Sequence, residues 1–119
     1  AAADPIVTRS WQLFSKFREL NGGNVLIGRE QRALLQQVGF VRVQASATYE
    51  CHGTKEATQR YGDRVCRFLQ EERIVSQFTD MGLAQRSEMA SMGRAWEEWG
   101  SEPGGFFAHA WCEAVGWKE

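Results

Sequence analysis

The segment FFAHAWCEAVGW, from Phe106 to Trp117, constrains the fold more than any other stretch. Phe106, Ala108, Ala110, Cys112 and Ala114 fall on one set of alternate positions, and Phe107, Trp111, Val115 and Trp117 on the other. His109 and Glu113 are the polar exceptions. Aromatic enrichment and the preceding Gly104-Gly105 predict a strand here rather than a short buried helix. A strand apolar on both faces wants cover on both sides and normally lies inside a sheet. Only one other stretch has strand character. Val41, Val43, Ala45, Ala47 and Tyr49 alternate with Arg42, Gln44, Ser46, Thr48 and Glu50, which predicts a half-buried strand over 40–50. Two strands make a poor sheet, since a lone ribbon is marginal in water. The chain therefore carries sheet material that lacks partners.

The rest reads as helix. Asp4-Pro5 is a helix start, and Ile6, Val7, Trp11, Leu13, Phe14, Phe17 and Leu20 recur at helical spacing until Asn21-Gly22-Gly23. A second helix is expected from Ile27 to Val38, with Arg29 in its first turn read as an exposed cation. Gly53-Thr54 opens a longer helical stretch, with a break near residue 72, where Glu71-Glu72-Arg73 interrupts the apolar phase. Leu83 to Trp99 forms a further helix, stopped by Gly100 and Pro103. Within it Met89, Met92, Trp96 and Trp99 share a side, and Glu97-Glu98 form a solvated face. The expectation is one α/β (or α+β) domain over 1–119, with two antiparallel strands and about five helices. Its parts are a helical pair over 1–39, a strand over 40–50, a helical cap over 54–100 and a C-terminal strand over 106–117.

With 119 residues, 43% hydrophobic and 24% charged, the chain is long enough for one modest core. The net charge of −1 argues against a general nucleic-acid-binding surface. No apolar run is long enough to span a membrane. Three cysteines (Cys51, Cys66 and Cys112) without a C-x-x-C pair support neither a zinc ribbon nor a disulfide scaffold, and fit a cytoplasmic setting.

NGGNVLIGREQRALLQQVGFVRVQASATYECHGTKEA, from Asn21, resembles the C-terminal half of class I S-adenosylmethionine-dependent methyltransferases of the small-molecule type. In that group a helix with an I-G-R-x-x-x-x-L-L-x-x-x-G-F pattern leads into the sixth strand. A helical insertion follows, and an aromatic-rich seventh strand ends the protein. Ile27-Gly28-Arg29, Leu34-Leu35 and Gly39-Phe40 match the helix-to-strand step, and Ala110 to Trp117 match the final strand. The resemblance implies the last two strands and helical cap of a Rossmann-like methyltransferase, with residues 54–100 walling the acceptor. Methyl transfer needs in-line placement and exclusion of water, which such a wall provides. The chain contains no G-x-G loop of the kind that approaches the cofactor in the family. No cofactor is therefore expected on this chain alone, and no residue is assigned as catalytic.

The expected function is a methyltransferase-derived module that binds a small hydrophobic molecule or a partner. Its partners are expected to be further copies of the chain or a complementary methyltransferase half. Self-association is expected to use the 106–117 strand and the aromatic face of the first helix. Tyr49, His52, Tyr61, Met92, Trp96, Trp99, His109 and Trp111 are the candidate ligand-binding residues. Plainer alternatives are core packing for Trp96, Trp99 and Met92, an exposed loop for His52, and for His109 and Glu113, four apart on one strand face, mutual satisfaction or contact with a partner chain. Cys51 and His52 are adjacent and diverge, so no metal site is expected. A free-standing enzyme with His109, Glu113 or His52 in a dimeric cleft, and a purely structural oligomer, are the alternative readings. Whether the chain is a piece of a longer enzyme stays open at this point.

Overall fold

The structure is a computed structural model and describes residues 4–119. The Asp4 side chain accepts a hydrogen bond from the Ile6 amide at 2.8 Å, and Pro5 sits at the first helical position, so α1 runs Pro5–Leu20. It ends where Gly22 adopts φ 82°. α2 spans Ile27–Gln37 and β1 spans Val41–His52. Thr54 caps α3 (Lys55–Gln70) by accepting from the Ala57 amide. Glu71 is extended, which breaks the chain into α3 and α4 (Glu72–Asp80) as the phase interruption predicts. α5 covers Arg86–Gly100 and β2 covers Phe107–Trp117. The expected class holds: five helices and one two-stranded antiparallel sheet among the described residues.

The core lies in the helical half. Phe17, Leu69, Ile74, Phe78, Met89, Met92 and Trp96 are all buried there. α3 and α5 cross closely, because a Cβ at Gly62 would strike the Trp96 carbonyl and one at Gly100 would strike that of Thr58. The Thr58 hydroxyl adds a hydrogen bond to the Gly100 carbonyl at 3.1 Å. The α1 aromatics turn into this core: Phe17 stacks on Phe78 at 4.7 Å, and Trp11 meets Trp96 at 5.9 Å. The aromatic face of the first helix thus packs against α3, α4 and α5, with Phe17 buried and Trp11 and Phe14 half-buried.

The ribbon leaves this core. From Gln44 to His52, β1 pairs in unbroken register with Val115 to Phe107, so Thr48 faces Trp111, Glu50 faces His109 and His52 faces Phe107. A register irregularity between Val41 and Gln44 coincides with Arg42 at φ 51°, an uncommon conformation for a non-glycine residue. The guanidinium of Arg42 lies over the Trp117 ring. At this end α2 packs on the ribbon face that carries Cys112. At the other end the opposite face, through His52 and Phe107, packs on the helical core. Outside these covers the strands are bare. Tyr49 is 68% exposed, Trp111 58% and Val115 56%. The expected half-buried strand is therefore buried only at Val43, because each layer of helices covers only part of one ribbon face.

Two global numbers follow from this arrangement. The radius of gyration is 17.5 Å, against about 13–14 Å for a packed domain of this length. The accessible surface is 8272 Å², against about 6,500 Å² for a typical monomer of this mass. The second edge of β2 carries no strand among the described residues. No helix is long and apolar enough to cross a membrane among those residues.

Candidate functional site

Two features share one aromatic wall where the ribbon meets the helices. Phe107, first residue of β2, builds that wall. It stacks on Tyr61 of α3 at 4.7 Å and on Trp11 of α1 at 5.5 Å, with the Trp11 and Phe107 planes 6° apart. Trp96 and Trp99 of α5 meet Phe107 edge-on. Such stacked and edge-to-face pairs each add about 0.5–1.5 kcal/mol beyond the area they bury. Three helices and a strand converge on this point.

On its helical side lies a cavity of about 280 Å³ between α1 and α3. Trp11, Phe14, Val65, Phe68 and Leu69 make it apolar, and Ser10 and Trp96 form its floor. The Trp96 indole N–H donates to Ser10 Oγ at 2.7 Å, and Ser10 donates to the Val7 carbonyl at 2.7 Å, so the buried polar atoms here are satisfied. Two cations, Arg18 and Arg64, stand at the rim, over the Phe14 and Tyr61 rings respectively. An apolar slot with a cationic rim suits a flat hydrophobic molecule carrying an anionic group. Burial pushes the Tyr61 hydroxyl above its ordinary pKa, so it stays a neutral donor at this wall.

On the ribbon side lies a polar cluster. Glu50 and His52 are two apart on β1 and share a face, and His109 stands directly opposite Glu50. His109 Nε2 lies 2.8 Å from Glu50 Oε2, which also accepts from the Trp111 indole N–H at 2.8 Å. These two contacts hold the Glu50 carboxyl below the usual carboxylate range. His52 Nε2 lies 3.5 Å from Glu50 Oε1, while the His52 ring leans on Tyr61 at 4.6 Å. His109 is thus bonded to the carboxylate and His52 stands beside it, so the cluster presents nitrogen and oxygen lone pairs to a cation. Among the described residues this is the one group of three side chains spaced to hold a metal ion.

The candidate residues therefore divide. Tyr61 and Trp96 line the cavity, and Trp99 buttresses the wall from behind. His52, His109 and Trp111 join in the polar cluster. Met92 is buried in the helical core and lines neither feature. Tyr49 points to the opposite ribbon face, in register with Ala110. His52 is the last residue of β1 rather than a loop residue, and its side chain is 14% exposed. His109 bonds across the ribbon to Glu50 and not along the strand to Glu113, because four strand residues span about 13 Å. Glu113 sits opposite Ser46, and Arg29 is exposed on α2. Glu50, Phe107, Trp11 and Ser10 were missed. The register that joins Glu50 to His109 depends on pairing that neither strand announces alone, but Glu50-Cys51-His52 at the end of the predicted strand was a visible signal. No protein-family model matches the chain, and neither a curated protein nor a solved structure matches it.

Proposed function

We propose that the chain is the acceptor-side module of an S-adenosylmethionine-dependent methyltransferase, which binds a flat hydrophobic acceptor in the α1–α3 cavity and completes its sheet with a cofactor-binding partner. The observation that carries this reading is β2, an 11-residue strand hydrogen-bonded along one edge only, with Trp111 and Val115 bare. An exposed strand edge with apolar side chains is a pairing site. The surface excess of roughly 1,750 Å² per chain over a typical monomer is of the size that obligate interfaces bury. The element order supports the same reading: α2 leads into β1, helices intervene, and β2 returns antiparallel beside β1. The occupant of the free β2 edge is the parallel sheet of a cofactor-binding half. In its absence a second copy of the chain takes the edge. The free thiols of Cys51, Cys66 and Cys112 fit a reducing, cytoplasmic setting.

Titration calorimetry on the chain alone tests the assignment with two probes. S-adenosylmethionine should give no binding, because no glycine-rich cofactor loop is present. 1-Anilinonaphthalene-8-sulfonate, an aromatic sulfonate that matches an apolar slot with a cationic rim, should bind one to one and weaken on Arg64→Glu. Tight binding of S-adenosylmethionine to the isolated chain would overturn the reading, as would sulfonate binding indifferent to Arg64.

A further inference from the structure

We infer that Glu50, His52 and His109 form a binding site for a divalent first-row transition ion, with Zn²⁺ as the fitting occupant. This inference stands apart from the methyltransferase reading, because it uses neither the α1–α3 cavity nor the free edge of β2. Two of the three ligands lie two residues apart on β1 and the third is directly across the ladder, so the backbone pairing fixes all three on one face. One donor atom from each lies within 4.8 Å of the others. His109 Nε2 and Glu50 Oε2 are 2.8 Å apart, and His52 Nε2 and Glu50 Oε1 are 3.5 Å apart. Ligands of a tetrahedral ion with bonds near 2.0–2.1 Å stand about 3.3 Å from one another. Small carboxylate and imidazole rotations therefore bring the set to bonding geometry.

A second observation comes from a single atom. His52 Nε2 is shielded from solvent and has no hydrogen bond to another protein group, Glu50 Oε1 standing 3.5 Å away. A buried polar nitrogen without a partner costs about 1–3 kcal/mol, and such groups are rare. This nitrogen faces Glu50, with Tyr61 and Phe107 beside the ring. An ion at the centre of the three donors satisfies it. Metal-ligating groups are also commonly held by an outer hydrogen bond. Trp111 supplies one here by donating to Glu50 Oε2 at 2.8 Å.

The donor set decides the metal class. Two imidazoles and one carboxylate suit zinc and its first-row neighbours, whereas Mg²⁺ and Ca²⁺ prefer oxygen ligands throughout. Three protein ligands leave at least one position open. The His109 and Glu50 side chains are 32% and 41% exposed, so that position opens toward solvent. An open fourth position marks a site that binds or activates a further molecule rather than a closed structural zinc.

The test uses the untagged full chain, with Zn²⁺ followed by calorimetry and Co²⁺ by visible absorption. One ion per chain is expected, with ligand-field bands of a four- or five-coordinate cobalt and no sulfur-to-cobalt charge-transfer band. His52→Ala, His109→Ala and Glu50→Gln should each weaken binding more than about 100-fold, and Trp111→Phe, which removes only the outer contact, about 10- to 100-fold. Cys51→Ser with Cys112→Ser should leave binding unchanged. Circular dichroism checks that each variant folds, and the cobalt spectrum of the unaltered chain reports on the ligands independently of any variant. Absence of stoichiometric binding, binding that survives His109→Ala, or a thiolate charge-transfer band would overturn the site.

Discussion

Replacement of Ser10 by alanine probes the joint on which the aromatic wall rests. Ser10 is 5% exposed and Trp96 2%, and the indole N–H of Trp96 has Ser10 Oγ as its partner at 2.7 Å. Ser10→Ala keeps the helix and removes the acceptor, so the indole N–H is left buried and unpaired. That loss costs about 1–3 kcal/mol. For a chain of this length the unfolding entropy near the midpoint is about 0.25 kcal/mol/K, so each kcal/mol lowers Tm by about 4 °C and the expected drop is about 4–12 °C. Thermal unfolding followed by circular dichroism measures it. The partner variant Trp96→Phe removes the donor, and in that background Ser10→Ala should cost little. The coupling between the two sites should then account for most of the single-variant loss. A drop of under about 2 °C for Ser10→Ala, or the same drop with and without Trp96, would refute the claim that this hydrogen bond ties α1 to α5.

The remaining expectations are simpler. Burial, helped by the nearby Glu97 and Asp63 carboxylates, raises the Cys66 thiol above its ordinary pKa, while Cys51 and Cys112 are exposed. A thiol reagent should therefore label two cysteines per native chain quickly and the third only on unfolding, which mass spectrometry of timed digests would show. Glu50 has a carboxyl pKa lowered from 4.5 by its bonds to His109 and Trp111, so the folded chain binds fewer protons than the unfolded one in acid. Its contribution is complete above that value and fades as pH falls through the lowered one. The urea midpoint of Glu50→Gln should accordingly fall less on acidification than that of the unaltered chain, and an equal fall would contradict the cluster.

Much of the fold was legible because period and punctuation agreed. Asp4-Pro5, Thr54 and the Asn21-Gly22 step bound helices where their chemistry requires. The interruption at Glu71-Glu72 falls where the chain turns between α3 and α4. Burial was less legible. Alternation over Val41–Tyr49 predicts a covered face, yet the cover depends on where α2 and the helical core end, which no local pattern encodes. The site was half legible for the same kind of reason. Tyr61, Trp96, His52, His109 and Trp111 stood out by residue type, but Glu50 became their centre only through the register with β2, and Phe107 only through contacts with three helices. Period placed His109 and Glu113 on one face correctly, while strand rise kept them too far apart to pair.

The central claim is that the ribbon is an unfinished sheet. Light scattering coupled to hydrogen exchange, on the chain alone as its concentration rises through the micromolar range, tests it most directly. The account predicts a mass that climbs above that of one chain, with newly slowed amides confined to Phe107–Trp117. A mass that stays at one chain throughout would contradict it.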